Sequence, residues 1–165
     1  MFQMKGEVQT IKQLLEGAER LAQQSGDSLP GAEHLLLAAL ALPDGTARRS
    51  FERLGVDPDD LPSAIAAQHD DALRAVGIEV KVKDLPVPAP EKRGVYLSTP
   101  SAQTTFKRAV DLSGKPKPRR LRGAHVVLAV AEMERGTVVR ALTRMGVDRE
   151  KLAAAARDEL AAPAP

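Results

Sequence analysis

Residues 34–57 read HLLLAALALPDGTARRSFERLGVD, and residues 125–148 read HVVLAVAEMERGTVVRALTRMGVD. The two stretches align without a gap. His34 falls on His125, Leu37-Ala38 on Leu128-Ala129, Gly45-Thr46 on Gly136-Thr137, and Gly55-Val56-Asp57 on Gly146-Val147-Asp148. Arg49 and Arg53 return as Arg140 and Arg144. The same offset of 91 reaches outward from Ala18 and Leu21, which return as Ala109 and Leu112, to Leu61, which returns as Leu152. So constant an offset marks an internal duplication, and a duplication decides the fold before any finer reading does. Two copies are too few for an extended solenoid, so two similar halves packed into one body are expected.

The 165 residues are about one compact domain, large enough for a real core. Hydrophobic residues make up 43% of the chain but aromatic residues only 2%, so the core must be built from Leu, Val, Ala and Met. Such a core suits helices better than a sandwich of strands, where β-branched and aromatic side chains dominate. With no Cys there is no disulfide, no thiolate nucleophile and no cysteine-type zinc site. The first nine residues lack the apolar run of a signal peptide, and no stretch approaches the roughly 18 apolar residues that cross a bilayer. A soluble, cytoplasmic protein is expected.

Net charge is +2, yet the halves differ in sign. Residues 1–80 carry seven Lys/Arg against thirteen Asp/Glu, and residues 81–165 carry seventeen against nine. The asymmetry points to different partners for the two halves or to attraction between them, unless it is no more than solvated surface.

Helical spacing of Ile11, Leu14, Leu15, Ala18, Leu21 and Ala22 predicts a first helix over about residues 7–24. The apolar run from Glu33 to Leu42 predicts a central helix buried on most sides. A third helix holds Ala47, Phe51 and Leu54, with Gly55 placed as its C′ residue. Asp57 caps a fourth, with Pro58 at its first position, running to about Val76. The plan repeats from Thr99-Pro100, an N-cap followed by a proline at N1. The expected organisation is one all-α domain over 1–165: repeat one at 1–78, a linker at 79–97 and repeat two at 98–160. Within the linker, Ile78 to Lys83 alternates like a short extended segment, and Pro86, Pro88 and Pro90 forbid helix.

Few residues suggest chemistry. His34 and His125 begin matching helices, but no HExxH motif or cysteine pair accompanies them, so structural rings bonding nearby backbone are expected rather than metal ligands. There is no GxxxxGK[ST], GxSxG or GxGxxG, so no catalytic constellation and no cofactor are expected. Asp57, Asp59 and Asp60 are explained by a helix start. Lys115, Lys117, Arg119, Arg120 and Arg122 precede the second central helix, where cations beside free backbone N–H groups favour an anion. A nucleic-acid regulator with one basic face is the alternative reading of that loop. It lacks the aromatic residues that stack bases, because Phe51 and Phe106 fall at core positions.

Each half resembles the repeat of the Clp N-terminal domain, the substrate-receiving domain of Clp ATPase unfoldases such as ClpC and ClpB. In the first half the matching residues are Gly31-Ala32-Glu33-His34-Leu35-Leu36-Leu37-Ala38-Ala39-Leu40, Gly45 and Leu54-Gly55-Val56-Asp57. In the second they are Ser98-Thr99-Pro100-Ser101-Ala102, His125-Val126-Val127-Leu128-Ala129 and Met145-Gly146-Val147-Asp148. The resemblance implies a pseudo-twofold all-α domain of two four-helix repeats. Walker motifs are absent, so the chain is similar to stand-alone Clp-N-like proteins, whose expected role is adaptor, regulator or decoy in Clp proteolysis. Expected partners are Clp ATPase or protease components, protein substrates, and phosphorylated or basic peptides.

The resemblance further implies a phosphoarginine pocket in each repeat, where a Glu before the His receives the guanidinium and a Thr at the first helix start holds phosphate. Glu33 matches in the first half, but Val8 stands at the Thr position. Thr99 matches in the second, but Ala124 replaces the Glu. Each pocket reads as half dismantled. The expected binding residues are therefore Glu33, Thr99, Lys117, Arg119, Arg120 and Arg122.

Overall fold

A computed structural model describes residues 2–75, 77, 97–114 and 120–162. The described residues form eight α-helices and no strand: α1 Phe2–Gln24, α2 Ala32–Leu40, α3 Thr46–Glu52, α4 Leu61–Ala75, α5 Pro100–Ser113, α6 Gly123–Ala131, α7 Thr137–Arg144 and α8 Arg149–Ala161. The all-α expectation holds, with four helices per half. The 78–96 part of the expected linker lies outside the described residues, and so does the extended segment at 78–83.

The helix ends obey local chemistry that both halves share. α3 and α7 stop at Gly55 and Gly146, whose φ angles of 68° and 74° are left-handed. Behind each glycine the next residue reaches back five positions: Val56 N–H donates to Phe51 O at 3.2 Å and Val147 N–H to Leu142 O at 3.0 Å. These are Schellman stops, which need a residue without a Cβ penalty at the turn. Asp57 and Asp148 then cap the next helical turn of their own halves, accepting from Asp59 N–H and from Glu150 N–H, both at 2.9 Å.

After that cap the halves part. Repeat one makes a 3-10 turn over Pro58–Asp60 before α4, whereas α8 is α-helical from Arg149. Pro62 has no N–H to donate to Pro58 O, so the first bond is the tighter one from Leu61 N–H to Pro58 O. Ala153 occupies the matching place in repeat two and carries no such restriction.

The repeats are interwoven into one core. α2 and α6 pack on each other at the centre, α1 covers α2, and α5 lies on both α6 and α2. Each fourth helix reaches across: α4 packs chiefly on α7, and α8 packs on α3 as well as on α6. Buried Leu14, Leu35, Leu36, Phe51 and Leu61 of the first half therefore share a cluster with Val126, Val127, Val130, Leu142 and Leu152 of the second.

The central helices are not equally enclosed. Every residue of α6 is buried. In α2 a stripe at Glu33, Leu37 and Leu40, spaced i, i+4 and i+7, stays partly exposed. Leu128 is a core residue, as its place in an apolar run implies, but Leu37 is only half-buried against the core. The sequence places both in apolar runs read as helices buried on most sides, so both are expected in the core. The packed molecule leaves one stripe of α2 uncovered.

Candidate functional site

The two histidines do the same structural work. His34 Nδ1 accepts from Gly31 N–H at 2.9 Å, and His125 Nδ1 accepts from Arg122 N–H at 2.9 Å. Each ring folds back from the third helical position and occupies a backbone donor at its helix start, the task usually given to a Glu or Gln. Beyond the ring the surroundings differ. Ser25 donates its hydroxyl to Leu21 O, so its oxygen is left to accept from His34 Nε2, 3.1 Å away. Asp27 Oδ2 lies 3.2 Å from the same nitrogen, and the His34 ring holds the Asp27 carboxyl below its usual range against the opposing effect of burial. At His125 the Asp44 carboxylate favours the charged ring, but too little to prevail. Burial, assisted by the Arg122 charge, pushes its pKa down to about 4.

The start of α6 is closed by repeat one. Asp44 accepts from Gly123 N–H at 3.1 Å, and Thr46 Oγ1 accepts from Ala124 N–H at 2.9 Å. Gly123 leaves room for this contact, since a Cβ there would sit 2.8 Å from Ala47 Cβ and 3.0 Å from Ala39 O. Two free N–H groups of a helix N-terminus are thus used internally. The corresponding residues by the repeat offset are Arg135 and Thr137, and Arg135 has no carboxylate to offer α2.

At the start of α2, no side chain among the described residues caps Ala32 N–H or Glu33 N–H. The Glu33 carboxylate instead folds back over Gly31, where a Cβ would lie 2.5 Å from Oε2. Its side chain is 13% exposed. Thr99 stands close by. Its N–H donates to Pro30 O at 3.0 Å, tying the start of α5 to the turn that precedes α2. Thr99 Oγ1 caps α5 by accepting from Ala102 N–H at 3.2 Å and lies 3.0 Å from Ser101 Oγ.

Glu33 and Thr99, read separately from the two halves, therefore belong to one neighbourhood. The Thr position of repeat one is elsewhere. Val8 lies inside α1, 64% exposed and ~24 Å along the helix from the end that adjoins α2. The first helix starts at Phe2, five residues before the expected boundary, so position 8 is no helix start.

Among the described residues of the basic loop, Arg120 and Arg122 make their contacts elsewhere. Arg122 turns its guanidinium to Leu160 O at 2.8 Å, where it satisfies a carbonyl at the end of α8. Arg120 is exposed and contributes its backbone N–H to Ser113 O at 3.4 Å. Lys117 and Arg119 lie outside the described residues.

Two of the polar contacts across the repeats that sequence reasoning missed bear on how the halves close. One is the Asp44–Thr46 cap on α6. The other is Glu159 of α8, buried between Arg53 Nε at 2.7 Å and Arg49 Nε at 2.9 Å from α3. Burial alone would raise the Glu159 pKa, but the two guanidinium groups outweigh it and hold it below the usual value. A signal existed in both cases: Asp44 and Glu159 break the repeat, their partners by offset being Arg135 and Gln68.

The model of the Clp repeat N-terminal domain matches residues 9–144. The chain belongs to this family. Similar proteins include the chloroplastic chaperone ClpC1 of rice and the chloroplastic Clp protease ATP-binding subunit ClpA homologue CD4B of tomato. Each is 36% identical over 69 residues, which is 42% of this chain and 8% of the relative. The chloroplastic chaperone ClpC2 of rice matches to the same extent. The Clp repeat domain is a protein-interaction module of Clp ATPases, so a protein-binding role fits the chain. No helix among the described residues is long and apolar enough to cross a membrane.

Proposed function

We propose that this Clp repeat domain is a non-enzymatic adaptor, regulator or decoy in Clp-dependent proteolysis, working in the cytosol. It binds protein segments at a single recognition site where α2 and α5 begin. The observation that carries this reading is the Thr99 N–H to Pro30 O bond, which places Thr99 beside the helix start that bears Glu33. The Glu33 carboxylate receives a guanidinium through charge-assisted bonds, and the start of α5 with its threonine hydroxyl receives an anionic group. Leu37 and Leu40, half-exposed on the stripe of Glu33, offer apolar contact beside it. Phosphoarginine carries both required charges. The symmetry-related pair, Val8 and Ala124, carries neither group, and Ala124 N–H is already bonded to Thr46. The domain on this reading keeps one competent site and has lost the other, rather than retaining two half-sites.

Calorimetric titration with phosphoarginine tests the reading. One site per chain is expected, with binding lost in Glu33→Ala and weakened in Thr99→Val, and with little change in Arg120→Ala. Two equal sites, or binding indifferent to both Glu33 and Thr99, would overturn it. Affinity capture from native cytosol with wild type and Glu33→Ala tests the wider role. Clp components or their substrates should be recovered by the first and depleted with the second.

A further inference from the structure

A second cleft opens far along the chain from Glu33, where the turn between α3 and α4 meets the end of α7. It has a volume of about 480 Å³. Val56, Ala64 and Met145 line it with apolar surface, and Asp57, Asp60 and Arg144 line it with charge. The charges do not cancel. Arg144 is taken by Asp71 at 2.8 Å. Asp59, the third carboxylate of the turn, is taken by Arg48 at 2.7 Å. Asp57 uses one oxygen on Asp59 N–H, and Asp60 has no cationic partner among the described residues. Two carboxylates thus line a groove together with three apolar side chains.

The duplicated half supplies an internal control. There Lys151 replaces Asp60 and supplies a cation beside Asp148. Val147 is buried where Val56 is only half-buried, and Arg53, the counterpart of Arg144, is held by buried Glu159 of α8. The same stretch of backbone thus lines an open acidic cleft in one seam and lies against a buried ion pair in the other.

We propose that this cleft docks a basic segment of a partner protein, one Lys or Arg side chain at a time. The aliphatic stem of such a side chain covers Val56, Ala64 and Met145 while its cationic head reaches Asp57 and Asp60. The groove is open and large enough for one such side chain, and the charge is complementary. Binding here is independent of the Glu33 site, so one domain holds a partner at two places on different elements.

The test uses the blocked peptide acetyl-Gly-Arg-Arg-Gly-amide and its Glu-Glu counterpart, monitored by NMR on the Met145 methyl and the Asp60 amide. The basic peptide should shift both signals, the acidic peptide neither, and added salt should weaken binding. Asp60→Asn should lower affinity by about tenfold, and Asp60→Lys, which copies Lys151, should abolish it. Both substitutions are at an exposed position, and the wild-type Met145 shift does not depend on either. An unmoved Met145 methyl, or affinity unchanged in Asp60→Lys, overturns the proposal. So does basic-peptide binding that is lost in Glu33→Ala, which would assign the peptide to the other site.

Discussion

The start of α6 and the start of α2 are the same stretch of sequence used twice, and they have opposite fates. At α6 the orphan N–H groups are capped from the other repeat by Asp44 and Thr46, and Gly123 admits Ala47 and Ala39 at close range. At α2 the capping aspartate has become Arg135, the helix start carries its own Glu33, and Thr99 approaches instead of a cap. A duplication lets one copy commit its helix terminus to cohesion while the other leaves it available. The difference arises at few positions, because a helix N-terminus needs only one or two acceptors to be closed.

Burial separates the copies most sharply. Leu128→Ala should cost about 2–5 kcal/mol, because the residue is enclosed on a helix buried on every side. Leu37→Ala, its counterpart on the half-exposed stripe, should cost about 1–2 kcal/mol, since part of its surface already meets water. Urea unfolding of the two variants decides the matter. Equal losses would mean that α2 is as enclosed as α6.

The histidines give the next effect. His125 has its pKa depressed in the folded chain, to about 4. The unfolded chain therefore takes up a proton first. Stability is fully present above about pH 6.5 and is lost as pH falls towards 4, by about 2–4 kcal/mol in all. Asp27 and Glu159, also depressed, add stability that is present above the ordinary carboxylate pKa and lost below it. In His125→Asn the amide oxygen can still accept the Arg122 N–H, and the decline between about pH 6.5 and 4.5 should flatten. Parallel profiles for wild type and variant would show that the ring is not the titrating group.

The two crossing seams differ by a smaller margin. Glu159→Ala should cost about 1–3 kcal/mol, because it strands Arg49 and Arg53 beside a buried gap, though both guanidiniums keep partial contact with water. Asp71→Ala removes an exposed pair with Arg144 and should cost less than about 0.5 kcal/mol. Thermal unfolding of both variants would break the comparison if their midpoints fell together.

The smallest effect on stability should carry information about binding. Gly31→Ala places its Cβ against the movable end of Glu33, so folding should change by about 0.5 kcal/mol or less. Ligand binding at Glu33 should nevertheless weaken, because the carboxylate is displaced. Gly123→Ala meets Ala47 and the Ala39 carbonyl, which cannot move aside, and should cost about 1–3 kcal/mol. If Gly31→Ala proved the more damaging of the two, the assignment of open and closed starts would be reversed.

Much of the fold was legible in the residues alone. The apolar period placed α2 and α6, and Gly55 and Gly146 ended α3 and α7 where a residue with left-handed φ was needed. Thr99 and Asp148 capped the helices they precede, whereas Asp57 capped the 3-10 turn that stands before α4. The site was less legible. Glu33 and Thr99 could be named from the residues, but their nearness across the two halves could not. Thr99 is tied to the turn before α2, and Val8 lies well inside α1. Arg122 is singled out by its charge, and only the fold shows its guanidinium bonded to the end of α8.

What the sequence by itself determined was largely local: the helices of each half, most of their caps and stops, the duplication, and the identity of the polar residues at each helix start. Those features depend on bonds within a few residues, and the same residues make them in both copies. Which half supplies the partner was decided only by the tertiary structure. α4 reaches α7, α8 reaches α3, Asp44 closes α6 and Thr99 comes to Pro30. Two nearly identical apolar faces can be covered by either copy with similar local chemistry. Only the simultaneous packing of the helices around one core selects the crossed arrangement, and with it the bond that ties Thr99 to the turn before α2.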